Sequence, residues 1–283
     1  MINYAFVDGN FVHEAEAKIS IFDRSVLFSD AVYEVTCVIN RRMLDFERHM
    51  ERLGRSCSKI GIDYSVDYAA LKRIHQKLID DNDLSEGTIY FQVTRGVAGR
   101  SFIYPESNQP TVLGFTQKLA HNPLRTMERE LRLISVPEGR WKKLDIKTTQ
   151  LLCASLMKTE AIRSGADDAV IINDGFITET TAANIFMVAG DNKILTCPLN
   201  GQVLPGITRQ SFIELADAKG FVVEQRLFTL QELYNAQECF VTSAVNFATP
   251  VTSVDGHRIG TGKAGNITEA LHYLYIEKMI KEV

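Results

Sequence analysis

No stretch of this 283-residue chain holds enough consecutive apolar residues to cross a bilayer, and its opening, MINYAFVDGNFVHEAEAK, lacks the basic patch and apolar core of a secretory leader. A membrane role is therefore not expected, and the expected compartment is the cytoplasm. Long runs of like charge are also missing, and with a formal net charge of -4 the chain has no electrostatic bias toward nucleic acid. Cysteine is sparse. Cys37, Cys57, Cys153, Cys197 and Cys239 form an odd, widely spaced set without paired metal-binding spacing, which reads as reduced, mostly buried thiols. The six histidines are equally scattered, so a structural zinc is not expected. No internal repeat is present.

What remains is ordinary globular material, long enough for two domains with separate cores. Residues 31–39, AVYEVTCVI, place Tyr33, Val35, Cys37 and Ile39 on one face and Val32, Glu34, Thr36 and Val38 on the other, which predicts a strand. After a turn at residues 40–42, Asp45 is placed to cap a helix whose apolar positions Met50, Leu53, Cys57 and Ile60 follow helical spacing, with Gly61 at its stop. A second helix is expected over residues 66–81. Residues 88–96 and 111–119 alternate again as neighbouring strands, joined by VAGRSFIYPESNQP, a long loop of the kind that carries function. Asn122-Pro123 is the best linker signal. The expected division is an N-terminal α/β domain over 1–119, a linker and the start of the second domain over 120–134, and a C-terminal domain over 135–283.

Further on come an extended RLISV and a helix from about Thr149 to Arg163. DDAVIIND, NIFMVAG and KILTCP read as extended pieces, with turns at Asn173-Asp174-Gly175 and Asp191-Asn192. A helix over 207–220, a strand over 238–244 and a final helix opened by Asn266 and Glu269 as a capping box complete the expectation. The fold class expected is α/β or α+β: a smaller N-terminal lobe and a larger C-terminal lobe with mixed sheets, and a cleft between lobes as the usual place for a ligand.

In DIKTTQLLCASLMKTEA, 145–161, Lys147 stands where an extended segment gives way to an apolar helical one. A lysine is most often a solvated charge, here neutralised by Asp145. Flanked by Leu144, Ile146, Leu151 and Leu152, an amine at this junction can instead point into a cleft and lose hydration, which favours the neutral form that condenses with an aldehyde. On residues alone, Lys142 and Lys143 are equal candidates. Glu179 reads as an exposed carboxylate at a strand edge, and Arg52, on the helix face it shares with His49 and Ser56, as a solvated charge. Gly206-Ile207-Thr208 opens a helix after Pro205, where unpaired N–H groups suit a phosphate as readily as an ordinary helix start.

Taken in order, AVYEV (31–35), HMERL (49–53), IYFQVTRG (89–96), DIK (145–147), TE…NIF (178–186), GITR (206–209) and FVTS (240–243) resemble the fold-type IV pyridoxal-phosphate enzymes. These are the class IV aminotransferases, and the D-amino-acid (D-alanine) transaminases are the most similar among them. The resemblance implies that Lys147 holds pyridoxal 5′-phosphate as a Schiff base and then shuttles the proton at the substrate α-carbon. It implies that Glu179 faces the pyridine nitrogen, where a carboxylate favours the protonated, electron-drawing ring. Arg52 is implied at the phosphate, where its fork of donors suits phosphate oxygens. Ile207 and Thr208 are implied at the phosphate, Leu204 at the ring face, and Ser243 and Ala244 complete the phosphate cup. The family commonly has a hydroxyl at the position of Ala244, so one side-chain hydrogen bond, about 0.5–1.5 kcal/mol, is missing.

For the substrate carboxylate the resemblance implies Tyr33 plus an Arg-x-His pair. Here the pair reads Arg100-Ser101-Phe102, and because phenylalanine cannot donate, the carboxylate is left to Tyr33 and Arg100 and one wall becomes apolar. Ser29-Asp30-Ala31 likewise departs from a pattern with glycines around the aspartate. The expected reaction is ping-pong transamination between a D-amino acid, such as D-alanine or D-glutamate, and a 2-oxo acid. Other readings are a branched-chain L-amino-acid aminotransferase, an (R)-selective amine transaminase, and an aminodeoxychorismate lyase of the same fold. The branched-chain enzymes typically have aromatic-Glu-Gly where this chain has Tyr33-Glu34-Val35. A non-catalytic vitamin-B6-binding protein is a further reading, against which Lys147 and Glu179 both count. The family implies a homodimer in which Lys147, Glu179, Arg52 and Tyr33 of one chain meet Arg100 and Phe102 of the other.

Overall fold

The structure, a computed structural model, describes residues 4–119, 121–190 and 193–281, and these form two compact units. The first is Met1–Ala120 with Ile146–Gln150, and the second is His121–Asp145 with Leu151–Val283. The turn expected at Asp191-Asn192 lies outside the described residues.

In the first unit, β1 (Tyr4–Val7) and β2 (Asn10–His13) form a hairpin on Asp8-Gly9, both at positive φ, the backbone hand that a two-residue hairpin turn requires. The Asp23 carboxylate accepts from Ser25 N–H and caps the short helix α1 (Arg24–Phe28). The alternating stretch is β3 (Ala31–Ile39), which turns into β4 (Arg42–Met43) and pairs on its other side with β5 (Gly87–Thr94). Next comes β6 (Val112–Lys118), giving the antiparallel order β2-β1-β6-β5-β3-β4. Helices α2 (Phe46–Lys59) and α3 (Tyr68–Asp81) pack on β3 and β1 and bury Met50, Leu53, Leu71, Leu78 and Ile79.

Asp45 does not cap α2 with its side chain as expected. Its backbone is left-handed (φ 51°), whereas a capping side chain reaches the first-turn amides from an extended backbone, so only the Asp45 carbonyl serves, accepting from His49 N–H at 3.0 Å.

The second unit begins with a parallel crossover, β7 (Leu131–Pro137), α4 (Leu152–Arg163) and β8 (Asp168–Asn173). The chain turns at Asp174-Gly175 into β9 (Phe176–Thr180), followed by β10 (Asn184–Ala189) and β11 (Lys193–Thr196). After α5 (Ile207–Ala218) come β12 (Val222–Gln225), α6 (Leu230–Tyr234), β13 (Glu238–Thr242), β14 (Thr249–Val254), β15 (His257–Arg258) and α7 (Asn266–Lys281). The mixed sheet runs β12-β11-β10-β13-β14-β7-β8-β9, and the pairing of Asn184 with Glu179 joins β9 back to β10 as a ring. Leu131, Val170, Ile177, Ile185, Phe228 and Val241 pack in its core.

Two element starts differ from expectation. Helix α4 begins at Leu152 rather than near Thr149, because the backbone of 147–149 is bonded to β3 and cannot also join a helix. The amides of Ile267 and Thr268 at the start of α7 are satisfied by Glu238 of β13, at 3.0 and 2.8 Å, so the carboxylate comes from a distant strand rather than from a local capping box. All five cysteines are unbridged, and among the described residues no helix is long and apolar enough to cross a membrane.

Candidate active site

In the first unit, residues 146–150 lie along β3. Tyr33 N–H donates to the Lys147 carbonyl at 3.0 Å and Thr149 N–H to the Ala31 carbonyl at 3.1 Å, while Lys147 N–H donates to Ser56 Oγ of α2 at 3.4 Å. The lysine backbone is thus held from both a strand and a helix. Its Nζ stands 4.3 Å from the Tyr33 ring centroid, within cation–π range. Tyr33 stacks on Tyr90 of β5 at 5.2 Å, Tyr90 on Phe115 of β6 at 4.9 Å, and the Tyr90 hydroxyl donates to Gln92 Oε1 at 2.7 Å.

Arg52 is buried rather than solvated. It shares the inward face of α2 with buried His49 and Ser56, and forks onto Glu34 of β3: Nε to Oε1 at 2.7 Å, Nη2 to Oε2 at 2.8 Å. His49 Nδ1 lies 2.7 Å from Glu34 Oε2. Complete burial pushes the Glu34 carboxyl up, but the Arg52 guanidinium and His49 outweigh it and hold Glu34 far below the usual carboxylate range.

Arg100 and Phe102 sit on the exposed loop between β5 and β6. Arg100 Cζ is 5.9 Å from the Phe28 and Phe102 ring centroids, and those rings meet edge to face at 5.6 Å. The departure at Ser29 has a visible outcome, since this residue takes the left-handed backbone (φ 53°) that glycine would adopt without strain.

In the second unit, Glu179 is buried on β9 and accepts from three donors among the described residues. Arg140 Nη1 reaches Oε1 at 2.7 Å; Asn184 Nδ2 and Leu204 N–H reach Oε2 at 3.2 and 3.1 Å. A carboxylate offers about four acceptor positions, so one stays in reserve on Oε1. Burial pushes the Glu179 carboxyl up, and Arg140 offsets this in part. Asn184 Nδ2 also donates to the Leu204 carbonyl at 2.9 Å, and a Cβ on Gly206 would overlap Asn184 Oδ1. Glu179, Leu204 and the start of α5 are therefore one bonded assembly.

That helix start has the glycine N-cap Gly206 and no side-chain cap, with Ile207 and Thr208 buried in its first turn. Ser243 Oγ accepts from Asn246 N–H at 3.1 Å and keeps its own proton to donate, and Ala244 follows it in the chain. Arg209 Nε, one residue past Thr208, and Thr242 Oγ1, one residue before Ser243, are buried without a hydrogen-bond partner. First-turn amides without a side-chain cap and a serine hydroxyl with its proton to give suit a phosphate, and a buried carboxylate with an acceptor in reserve suits a protonated ring nitrogen. The residues present fit pyridoxal phosphate.

The structure adds residues that sequence reading did not single out: Glu34, Ser56, Tyr90, Glu138, Arg140 and Asn184. Glu34 carried a signal as the charged residue in an otherwise apolar and β-branched strand. Arg140 carried none, since EGRWKK reads as a surface loop.

Comparison with known proteins agrees with this picture. The family model for amino-transferase class IV matches residues 31–254. The chain is 36% identical over 262 residues to a D-alanine aminotransferase of Bacillus licheniformis, covering 93% of this chain and 92% of that protein. It is 34% identical over 267 residues to a D-alanine aminotransferase of Staphylococcus aureus, covering 94% of each. A branched-chain amino acid aminotransferase structure from Escherichia coli shares the fold with a TM-score of 0.91 at 23% identity, over 99% of this chain and 95% of that one. With a family model spanning most of its length and relatives covering nearly all of it, this chain belongs to the class IV aminotransferases, enzymes that carry amino groups on pyridoxal phosphate.

Proposed function

We propose that this chain transfers amino groups between D-amino acids, of the D-alanine and D-glutamate kind, and 2-oxo acids, with Lys147 holding the cofactor and moving the proton at the substrate α-carbon. The observation that carries this reading is Lys147 itself, its backbone fixed by Tyr33 and Ser56 and its amine 4.3 Å from the Tyr33 ring. The D-alanine aminotransferases at 34–36% identity support the choice of substrate.

Bound pyridoxal phosphate supplies an aldehyde that takes up the amino group and a ring that draws electrons from the α-carbon. Glu179, with an acceptor position free on Oε1, would accept from the ring nitrogen. The amides of Ile207 and Thr208, with Arg52, Ser243 and Ala244, would hold the phosphate, and Leu204 would line the ring. Tyr33 and Arg100 take the α-carboxylate, and Phe102 gives the side-chain pocket an apolar wall. Active chains are homodimers in the cytoplasm, with Arg100 and Phe102 delivered by the second copy. The 82% exposure of both Phe102 and Ile103 supports a loop that another chain covers.

Borohydride reduction of the cofactor-loaded protein and peptide mapping are expected to place the label on Lys147. D-Alanine and D-glutamate are expected to convert the bound cofactor to its amino form, read by absorbance. A higher kcat/KM for L-leucine than for D-alanine overturns the D-assignment in favour of the branched-chain reading.

A further inference from the structure

Glu179 does not face Arg140 alone. Arg140 is shared: Nη1 goes to Glu179 at 2.7 Å, while Nε and Nη2 go to Glu138 at 3.0 and 2.8 Å. Glu138, just past β7, is held in turn by the amides of Gly139 and Arg140, at 3.0 and 2.8 Å, and its own N–H donates to the Ile172 carbonyl of β8 at 2.8 Å. The side chains of Glu138, Arg140 and Glu179 are 14%, 10% and 6% exposed.

With both carboxylates ionised, this buried group carries two negative charges against one positive. The Cys197 thiol and the Arg209 guanidinium also act on Glu179, but Arg209 gives its hydrogen bonds to the Cys197 carbonyl and Gln225 Oε1, at 2.8 and 3.0 Å, so within the hydrogen-bonded group Arg140 alone faces both carboxylates. A buried surplus of negative charge is stabilised by a cation placed beside it. The directions agree, since Arg140 holds Glu138 low whereas Glu179 is raised by burial, with the Glu138 charge adding to the rise.

We propose that Glu138 is a positioning residue for the reaction: through the shared Arg140 fork it orients Glu179 and offsets the Arg140 charge, which leaves Glu179 more negative and tightens the hold of the ring nitrogen on its proton. This rests on the reading of Glu179 as the partner of that nitrogen. A neutral residue at 138 leaves Arg140 to neutralise Glu179 by itself, and the nitrogen loses its proton at lower pH.

The test uses the full-length enzyme loaded with cofactor labelled with nitrogen-15 in the ring, whose resonance reports ring protonation directly. In Glu138→Gln the pH at which the resonance changes is expected to fall by about one unit, with kcat down about tenfold at nearly unchanged KM. Glu138→Asp keeps the charge at shorter reach and is expected to lie between wild type and Glu138→Gln; it also serves if Glu138→Gln does not fold. A lower melting temperature without movement of the resonance in either variant makes Glu138 merely structural and overturns the inference. If Glu179→Gln moves the resonance and the Glu138 variants do not, the inference fails while Glu179 keeps its role. If Glu179→Gln does not move it either, that role falls and the inference with it.

Discussion

Arg52 and Glu34 show how much a buried charge depends on its partner. Arg52→Ala leaves the Glu34 carboxylate without its guanidinium, an expected loss of about 3–5 kcal/mol in urea unfolding, and the paired change Arg52→Met with Glu34→Leu is expected to cost less. His75 makes the first unit sensitive to pH in a different way. It is buried between Phe46 and Phe91, its Nδ1 lies 2.8 Å from the Leu71 carbonyl, and burial pushes it down to about 4 from 6.5. Between those values the unfolded chain binds the proton and the folded one does not. Stability contributed by His75 is therefore complete above 6.5 and is lost toward 4, by up to about 3 kcal/mol. Urea titrations across that window are expected to give a shallower decline for His75→Leu than for wild type. Lys147→Ala is expected to lower transamination by about 10²–10⁴-fold or more, measured by single-turnover conversion of the bound cofactor. At this scale motifs singled out Lys147 and Glu179 as residues to examine, and the structure shows that Glu179 is buried rather than exposed at a strand edge. The sequence was silent at Arg140, whose burial depends on the segment after β7 reaching Glu179 of β9, with β8 between the two strands.

Among the elements, the start of α5 is the most constrained. A Cβ at Gly206 would overlap Asn184 Oδ1, so Gly206→Ala must displace the amide that serves both Glu179 and the Leu204 carbonyl. Cofactor affinity is expected to fall about tenfold or more, measured by equilibrium dialysis, with little change in far-ultraviolet circular dichroism. The strands β3, β5 and β6 were legible because their short runs of β-branched and aromatic residues lie between turn signals, although β3 and β5 are buried on both faces. Strand β14 was not. It carries Pro250, a residue that argues against a strand, yet Pro250 pairs with Phe240 of β13. The junction of β9 and β10 was equally hidden, since one residue pair closes the ring and leaves no periodic trace. The starts of α2 and α7 failed for related reasons: one turned on a backbone dihedral at Asp45, the other on Glu238, a carboxylate nearly thirty residues upstream of Ile267.

For the whole molecule, the proposed homodimer makes a quantitative claim. Mixing Lys147→Ala chains with Arg100→Ala chains, each inactive alone, is expected to recover about a quarter of wild-type activity, because mixed dimers rebuild one complete site. Recovery of none, with sedimentation showing mixed dimers, would mean that each chain uses its own Arg100. The grouping of Ile146–Gln150 with the first unit was not legible, because nothing local marks a short extended segment as belonging to a sheet begun over a hundred residues earlier. That grouping bears on the order of synthesis. A ribosome that has made residues 1–120 has not yet made the segment that occupies the edge of β3 at Val32 and Tyr33, so the first unit is finished only after part of the second has been translated. A gene cut at residue 120 would therefore yield an amino-terminal fragment with an open strand edge, prone to pair with itself, and the reactive amine would be stranded on the other fragment.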